Sequence, residues 1–370
     1  MATGLHQIHS LGFDQITVNG LASEAGVARG TVYAYFGDVS GLFATLWSEV
    51  GFDWLQTMVD PASTAPSSPD DRAMLLLLTL ARRNPTLLEV VLPDLNRTFA
   101  ELRDRSDIAL LRAIWMLTIR LGIETANAKL SEVEIGYLFL EMLAAMPDDA
   151  AQRVGIDPGT PLTVPPITPS LPLVDTLDEV SQRLVRATMQ VVASSGVAAA
   201  SMMRICRVAR LSTGAATPRF PSLQQLHDFT FQQVMGDIVR GNTRQLPSVL
   251  NNPDIDNAIR ADLNAAMFIA SLSPERHLWR AYRQEVSLAA CYDEHIADML
   301  KGVYQDANEE LLQAFLGMGV GDDLSQLTVV FNVLGAGGSS ALALLDAPLR
   351  DLDHRVPMRW LLAQVSDTLE

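Results

Sequence analysis

Five residues in the segment 28–35 could bind nucleic acid if that segment forms a helix. They are Arg29, Gly30, Thr31, Tyr33 and Tyr35. Guanidinium and hydroxyl groups on a short helix can contact phosphates and base edges in the major groove of DNA, and small residues let the helix approach closely. The alternative is that the polar residues belong to an ordinary protein surface, while the apolar residues between them form a core.

The residues on either side predict the helices that would position this segment. Thr17 is suited to cap a helix over 18–25, and Gly26 can adopt the left-handed backbone that lets the next helix start at a steep angle. Another helix should begin near Val39. The residues expected to face inward and hold the first two helices together are Val18, Leu21, Ala22 and Val27.

The same pattern recurs 184 residues later without a gap. The aligned pairs include Gly12 with Gly196, Leu21 with Ile205, Ala25 with Ala209, Gly30 with Gly214, Phe36 with Phe220 and Leu42 with Leu226. We interpret this repeat as an internal duplication, so that one chain carries what are usually two subunits. Leu130-Ser131 aligns with Leu324-Ser325 at an offset of 194, which predicts about ten additional residues in the second copy.

Residues 12–46 resemble the N-terminal DNA-binding domain of the TetR/AcrR family of bacterial transcriptional regulators. The resemblance rests on Gly12-Phe13, Thr17-Val18, Leu21-Ala22, Ala25-Gly26-Val27, Gly30-Thr31-Val32-Tyr33, Tyr35-Phe36 and Leu42-Phe43. It implies an all-α fold. It also implies a pair of DNA-binding domains, here called heads, on operator DNA, and helical domains, here called bodies, that bind a small-molecule effector. With the duplication, it implies an intramolecular pseudo-dimer, and a further homodimer of the whole chain stays open.

The predicted organisation has five parts. They are a first head at 1–60, a first body at 61–146, a proline-rich linker at 147–176, a degenerate second head at 177–245 and a second body at 246–370. Six prolines make 155–172 extended, and 60–71 is a second linker-like stretch. Apolar spacing predicts body helices at 70–84, 99–121, 131–146, 255–272, 275–290, 294–316 and 323–346.

The two heads differ in charge and in how well they keep the motif. Residues 1–55 contain one arginine against five carboxylates, a net charge of −4, and Val39 stands where the family commonly has a lysine. Residues 176–244 contain eight arginines against four carboxylates, a net charge of +4. In this second head, however, Arg210 replaces the turn glycine, and Pro218 should shorten or bend the recognition helix.

The resemblance also indicates candidate sites outside the first recognition helix. The candidate DNA contacts are Thr17 in the first head and Arg204, Arg207, Thr213 and Arg219 in the second. The candidate effector contacts are Trp115, Met116 and Ile119 in the first body and Trp279, Tyr282 and Met299 in the second. Aromatic and methionine residues at helical spacing are more often core than ligand contacts. The expected effector is largely apolar.

Composition and motifs exclude several other classes of protein. A net charge of −16 opposes non-specific binding to nucleic acid by the whole molecule, although a local patch could still bind. No apolar run reaches the ~18 residues of a membrane span, and the N-terminus lacks the pattern of a signal peptide. Cys206 and Cys291 lack metal-ligand spacing, which fits a reducing cytoplasm.

Nothing in the sequence argues for catalysis, a cofactor or a metal. The glycine-rich residues 335–340 lack the lysine and the preceding strand of a phosphate loop, so they more simply predict close helix–helix packing between the two halves. We therefore expect a DNA-binding transcriptional regulator, most simply a repressor, with no enzymatic activity. The alternative is a ligand-sensing or protein-interaction module, derived from the same family, that has lost specific DNA binding.

Overall fold

A computed structural model describes residues 2–126, 130, 133–157, 160–163, 171–243, 257–317 and 321–369. These residues form α-helices joined by turns and short 3-10 segments, without a β-strand in the described ranges, and the predicted all-α fold is confirmed. The helices of the first part are α1 (Ala2–Leu11), α2 (Val18–Ala25), α3 (Arg29–Phe36), α4 (Val39–Val59), α5 (Pro69–Ala81), α6 (Pro85–Arg105), α7 (Asp107–Ala126), α8 (Ile135–Ala144) and α9 (Ala150–Arg153).

The helices of the second part begin after the proline-rich segment. They are α10 (Pro172–Asp175), α11 (Glu179–Ser195), α12 (Met202–Ala209), α13 (Thr213–Ala216), α14 (Leu223–Thr243), α15 (Asn257–Ser271), α16 (His277–Ala290), α17 (Glu294–Gly317), α18 (Asp322–Ala343) and α19 (Arg355–Leu369).

The first head folds as its caps predict. The Thr17 hydroxyl accepts a hydrogen bond from the Gly20 N–H at 3.0 Å and starts α2, and Gly26 ends it with a φ of 66°. Asp38 caps α4 in the same way, through the Gly41 N–H. The inward placement predicted for Val27 is wrong, because this residue lies beyond the end of α2 and is 43% exposed.

The second head keeps the same order of helices but shortens one of them. Ser201 caps α12, and Arg210 takes the left-handed conformation at its end with a φ of 54°. Ser212 caps α13, which ends at Ala216, two residues before Pro218. The predicted shortening at Pro218 is therefore confirmed, since proline can neither donate the next helical hydrogen bond nor avoid the preceding turn.

Several predicted boundaries in the bodies are wrong. The single helix expected over 99–121 is two helices, because Ser106 is extended and its hydroxyl caps α7 at the Ala109 N–H. The stretch 60–71 is not all linker, since Ser68 and Asp71 form a capping box that starts α5 at Pro69. The 131–146 helix spans 135–144 where it is described.

The proline-rich segment 147–176 includes two one-turn helices, α9 and α10, at its ends. Its beginning is held against α19, because Arg359 donates to the Val154 carbonyl at 3.0 Å and Arg355 to the Thr160 carbonyl at 2.8 Å. The predictions for residues 164–170 and 244–256 lie outside the described residues.

Helix α18 packs along α7, and α8 and α19 flank this pair. Two glycines allow the close approach, because a β-carbon at Gly338 would overlap the Thr118 carbonyl oxygen and one at Gly122 would overlap that of Leu334. The prediction of close helix packing at residues 335–340 is confirmed. Of the two residues aligned at an offset of 194, Leu324 lies in the first turn of α18 and Leu130 lies between α7 and α8, and their alignment stays a prediction.

One hydrophobic core extends through the first head, the first body and parts of α15, α18 and α19. Another fills the second head and continues into α16 and α17 of the second body. The stretch Ser325–Ala343 of α18 is, among the described residues, long and apolar enough to cross a membrane by length and composition alone, although polar residues interrupt it. The most apolar part of this stretch is 61% buried inside the protein. Packing against α7 therefore accounts for its apolar composition.

Candidate nucleic-acid interface and ligand cavity

Helix α3 presents its polar residues to solvent. Tyr35 is 79% exposed and Tyr33 is 43% exposed, whereas Val32 is buried against α2. The Arg29 guanidinium donates to the Tyr33 hydroxyl at 3.2 Å and lies 5.3 Å from the centre of its ring. One buried residue thus anchors a helix whose outer face is available to a partner.

The remaining residues predicted in the first head are also on its surface. Gly30 and Thr31 are exposed in the first turn of α3, and a β-carbon at Gly30 would have no neighbour within 4 Å. Thr17 is exposed, but its oxygen already accepts the capping hydrogen bond. Its hydroxyl can still donate a hydrogen bond to a phosphate, a dual use that fits the start of a helix.

The second head carries exposed arginines around its short α13. Arg204, Arg207 and Arg210 are all exposed on or at the end of α12. Arg219 is instead paired with Asp178 at 3.1 Å. A hydrogen bond from Ser181, together with Arg219, lowers the pKa of the Asp178 carboxyl to about 2. Arg219 must leave this carboxylate before it can bind a phosphate, whereas Thr213 is exposed at the start of α13.

The geometry of the first head agrees with a comparison against known protein families. Residues 1–53 match the bacterial regulatory proteins of the tetR family. This match supports a DNA-binding transcriptional regulator of that family. No curated protein matches the chain.

The two heads meet at a buried ion-pair cluster that the sequence did not reveal. Glu285 of α16 is 2% exposed in its side chain, accepts a hydrogen bond from Arg82 at 2.5 Å and forms an ion pair with Arg83 at 3.1 Å. Arg83 also binds Asp14 of the TetR-type first head at 2.9 Å and the Ser195 carbonyl of the second head at 3.1 Å. We call these four charged side chains and the Ser195 carbonyl the head junction.

A second contact lies on the other side of the head junction. The Tyr292 hydroxyl donates to the Ile8 carbonyl at 3.0 Å, and its ring fills the space beside Gly12. Gly196 lies in the corresponding place against Arg83. Both glycines have positive φ values, 73° and 82°, so the end of the first helix in each head reaches the opposite half of the chain through a glycine.

A cavity of ≈ 120 Å³ lies between α15, α16, α17 and α18. Its wall is mainly apolar and includes Trp115 of the first body. The Trp115 ring stacks on Phe331 at 5.2 Å between centroids, and its indole N–H donates to His354 Nδ1 at 2.9 Å. Other lining residues are Asn264, Met267, Phe268, Arg283, Tyr304 and Met358.

The residues predicted to bind an effector are not brought together. Trp115 lines the cavity, whereas Met116 and Ile119 are fully buried on the same helix and do not line it. Tyr282 and Met299 line a smaller cavity of ≈ 80 Å³ beside the second head. Trp279 packs under the Arg276 guanidinium at 5.4 Å.

Sequence reasoning missed the two charged residues of α16 that matter most here, Arg283 and Glu285. Both are buried in a helix that also carries Arg280. A signal was present, because Arg276, Arg280 and Arg283 recur at helical spacing among apolar residues that should face a core. Charged residues on an apolar face are expected to have specific partners.

Proposed function

We propose that this chain is a cytoplasmic transcriptional repressor that a small molecule releases from operator DNA. The exposed face of α3 carries the proposal, because Arg29, Tyr33 and Tyr35 project into solvent from this helix, which lies inside the segment that matches the tetR family. A helix presented in this way can enter a major groove.

The chain would act as its own dimer. Reciprocal contacts support this idea, since Gly122 and Gly338 are 216 residues apart, and so are Thr118 and Leu334, which they contact. A twofold axis between α7 and α18 would produce such a pattern. The sequence offset is thus 216 in these helices but 184 in the heads. Insertion of about thirty residues in the second body, after duplication of an ancestral subunit, accounts for this difference.

The two heads would have different tasks. The first head has the complete recognition helix but a net charge of −4, and the second has a net charge of +4 but only four residues in α13. Sequence recognition is therefore assigned to the first head, and electrostatic attraction to the phosphates to the second.

An effector would act through the spacing of the heads. Operator half-sites lie ~34–36 Å apart, so a small change in head geometry weakens simultaneous binding. A ligand that prefers one arrangement of the body shifts the population away from the other. The head junction supports this mechanism, since Glu285 of the second body pairs with Arg82 and Arg83, and Arg83 contacts Asp14 of the first head and Ser195 of the second.

The test is a fluorescence anisotropy titration of the full chain with the DNA upstream of its own gene, at several salt concentrations. We expect specific binding that Tyr33→Ala weakens at least about tenfold. Arg103→Ala is the control, because this arginine is exposed at the end of α6, lies outside both recognition helices and makes a long, 4.0 Å contact to Asp107. Binding that is equal on operator and unrelated DNA, and insensitive to Tyr33→Ala, would contradict the proposal.

A second candidate function is a ligand-sensing module without specific DNA binding. The acidic surface of the first head favours it, since a head with fewer cations on the phosphates releases fewer of the counterions that drive binding. In that case no DNA would bind above the non-specific level even at low salt, while the cavity beside Trp115 would still bind its ligand.

A further inference from the structure

The size and wall of the cavity select a ligand with a single ring. Trp115 lies 4.8 Å from Phe268 and 5.2 Å from Phe331 between ring centroids, so three aromatic rings meet on one side. A dry apolar cavity of roughly 150 Å³ holds one benzene molecule. At ≈ 120 Å³, this cavity is of similar size. Ring stacking adds specificity for a flat, aromatic ligand.

Arg283 gives the same cavity a positive charge. It is 9% exposed, and its Nη2 donates to the Ala336 carbonyl at 2.6 Å and to the Ser340 hydroxyl. The hydrogen-bond partners described for it are neutral, and no carboxylate is present among the described residues that line the cavity. Burying a guanidinium among neutral groups costs free energy, because its charge loses its hydration. An anion bound beside it would lower this free-energy cost.

The surroundings reinforce this positive charge. Burial, together with the neighbouring Arg283 and Arg276, lowers the pKa of Arg280 to about 10. Arg280 itself donates to the carbonyls of Ser271 and Ser273, at 2.9 and 2.8 Å, so it also faces neutral oxygens. Arg280 does not line the cavity, so it adds to the positive charge beside Arg283 without contacting the ligand.

We propose that this cavity binds a small aromatic carboxylate, with its ring against Trp115 and its carboxylate on the Arg283 guanidinium. The planar fork of arginine fits the two oxygens of a carboxylate. A neutral ring would lack the charged contact, and acetate would lack the aromatic one. Because Trp115 comes from the first body and Arg283 from the second, the site uses both halves of the chain.

The site is connected to the head junction through α16. Arg283 and Glu285 are two residues apart on this helix, one at the cavity and the other between Arg82 and Arg83. A carboxylate that draws Arg283 away from the Ala336 carbonyl loosens the packing of α16 on α18. The same displacement moves Glu285, so ligand binding would change how the two heads are held. This consequence, unlike the binding itself, rests on the proposed function.

The experiment uses three probes with the full chain, in the absence of DNA. Benzoate has the ring and the charge, benzamide has the ring without the charge, and acetate has the charge without the ring. Isothermal titration calorimetry should show one benzoate per chain and binding of the other two that is at least about tenfold weaker. Quenching of tryptophan fluorescence provides an independent measurement, since Trp115 lines the cavity.

Two variants test the assignment of Arg283. Arg283→Met should weaken benzoate binding about 10- to 100-fold and leave benzamide binding unchanged. Arg112→Met is the matched control, because Arg112 is also largely buried and donates to a carbonyl, that of Met146, away from the cavity. Should Arg283→Met fail to fold in a thermal unfolding assay, Gly335→Val fills the cavity beside Trp115 and should weaken benzoate binding instead.

The proposal is overturned if benzoate and benzamide bind equally, if neither binds, or if benzoate binding survives both Arg283→Met and Gly335→Val. Adding operator DNA separates this proposal from the proposed function. Benzoate binding that depends on Arg283 in a chain that binds no operator supports the ligand site and contradicts the repressor. Release of operator DNA by benzoate, abolished in Arg283→Met, supports both.

Discussion

Gly122 of α7 and Gly338 of α18 each lie against the backbone of the opposite helix. A β-carbon on either one would overlap a carbonyl oxygen of its partner helix, Leu334 in one case and Thr118 in the other. The two helices therefore cross closely at two points. Larger residues at either position would force the helices apart.

Replacing Gly338 with alanine should destabilise the protein by about 2 kcal/mol, because the added methyl group overlaps the backbone of α7. Gly302→Ala is the control, since a β-carbon at this exposed position of α17 has no neighbour within 4 Å. That change should be neutral or should stabilise by up to about 1 kcal/mol. Urea unfolding of both variants measures the difference, and equal stabilities would contradict the close crossing.

Glu285→Gln should destabilise the protein by about 3 kcal/mol, because Arg82 and Arg83 would lose their shared carboxylate. Burial raises the pKa of the Glu285 carboxyl, while the two arginines oppose this shift. Glu179→Gln is the control, since its carboxylate is exposed and lies 3.9 Å from Arg183. Chemical denaturation should show a change below about 0.5 kcal/mol for the control.

Acidification should destabilise the protein through His354. Burial lowers the pKa of this histidine to about 4, and its ring accepts from the Trp115 indole N–H while bonding to the Leu349 carbonyl. The folded state thus favours neutral imidazole, whose stabilising effect is present above pH 6.5 and is lost as the pH falls towards 4. The loss is on the order of 3 kcal/mol.

Thermal unfolding between about pH 7 and pH 4.5 tests this expectation. His354→Gln should lower stability at neutral pH and flatten the decline on acidification. The control is His6→Gln, because the His6 side chain is 66% exposed. An unchanged pH dependence in His354→Gln would show that other groups cause the acid sensitivity.

The operator should contain one well-specified half-site beside a poorly specified one. Two equal heads demand a palindrome, but α13 has only four residues against eight in α3. Footprinting, followed by base substitution in each half-site, measures this asymmetry. If both half-sites are equally stringent and Tyr33→Ala leaves binding to both unchanged, the roles of the heads are wrongly assigned.

Neutralising the second head should weaken binding similarly on all DNA sequences. Replacing either Arg204 or Arg207 with alanine removes one cation from the phosphates and should lower the slope of log affinity against log salt by about 1. Arg219→Ala should have a smaller effect, because this arginine is paired with Asp178. A loss of affinity confined to one operator would instead indicate that these arginines bind bases.

The sequence predicted the heads well because local signals determine them. Thr17, Gly26 and Asp38 set helix boundaries through hydrogen bonds and backbone angles within a few residues. The break at Ser106 was missed because apolar spacing continues across it. Asn84 caps α6 ahead of Pro85, a local signal for a helix start as strong as the others.

The cavity and the head junction could not be predicted in this way. Trp115 and Arg283 are far apart in sequence and meet only because α7 crosses α18. Glu285 forms ion pairs with Arg82 and Arg83, which are about 200 residues away in sequence. These ion pairs depend on how the two halves of the chain pack. Helical spacing indicates which residues are buried, but it does not indicate what faces them.

The crossing of α7 and α18 joins two parts of a single chain. A dimeric regulator made of separate subunits dissociates at low concentration. Its occupancy of DNA then depends on at least the square of the subunit concentration. If the two halves act as the two subunits of a dimer, as proposed, each half keeps its partner tethered at a high effective concentration at any dilution. Titration of DNA by this chain should therefore follow a simple hyperbola down to the lowest protein levels, and a cell could regulate a gene with very few molecules.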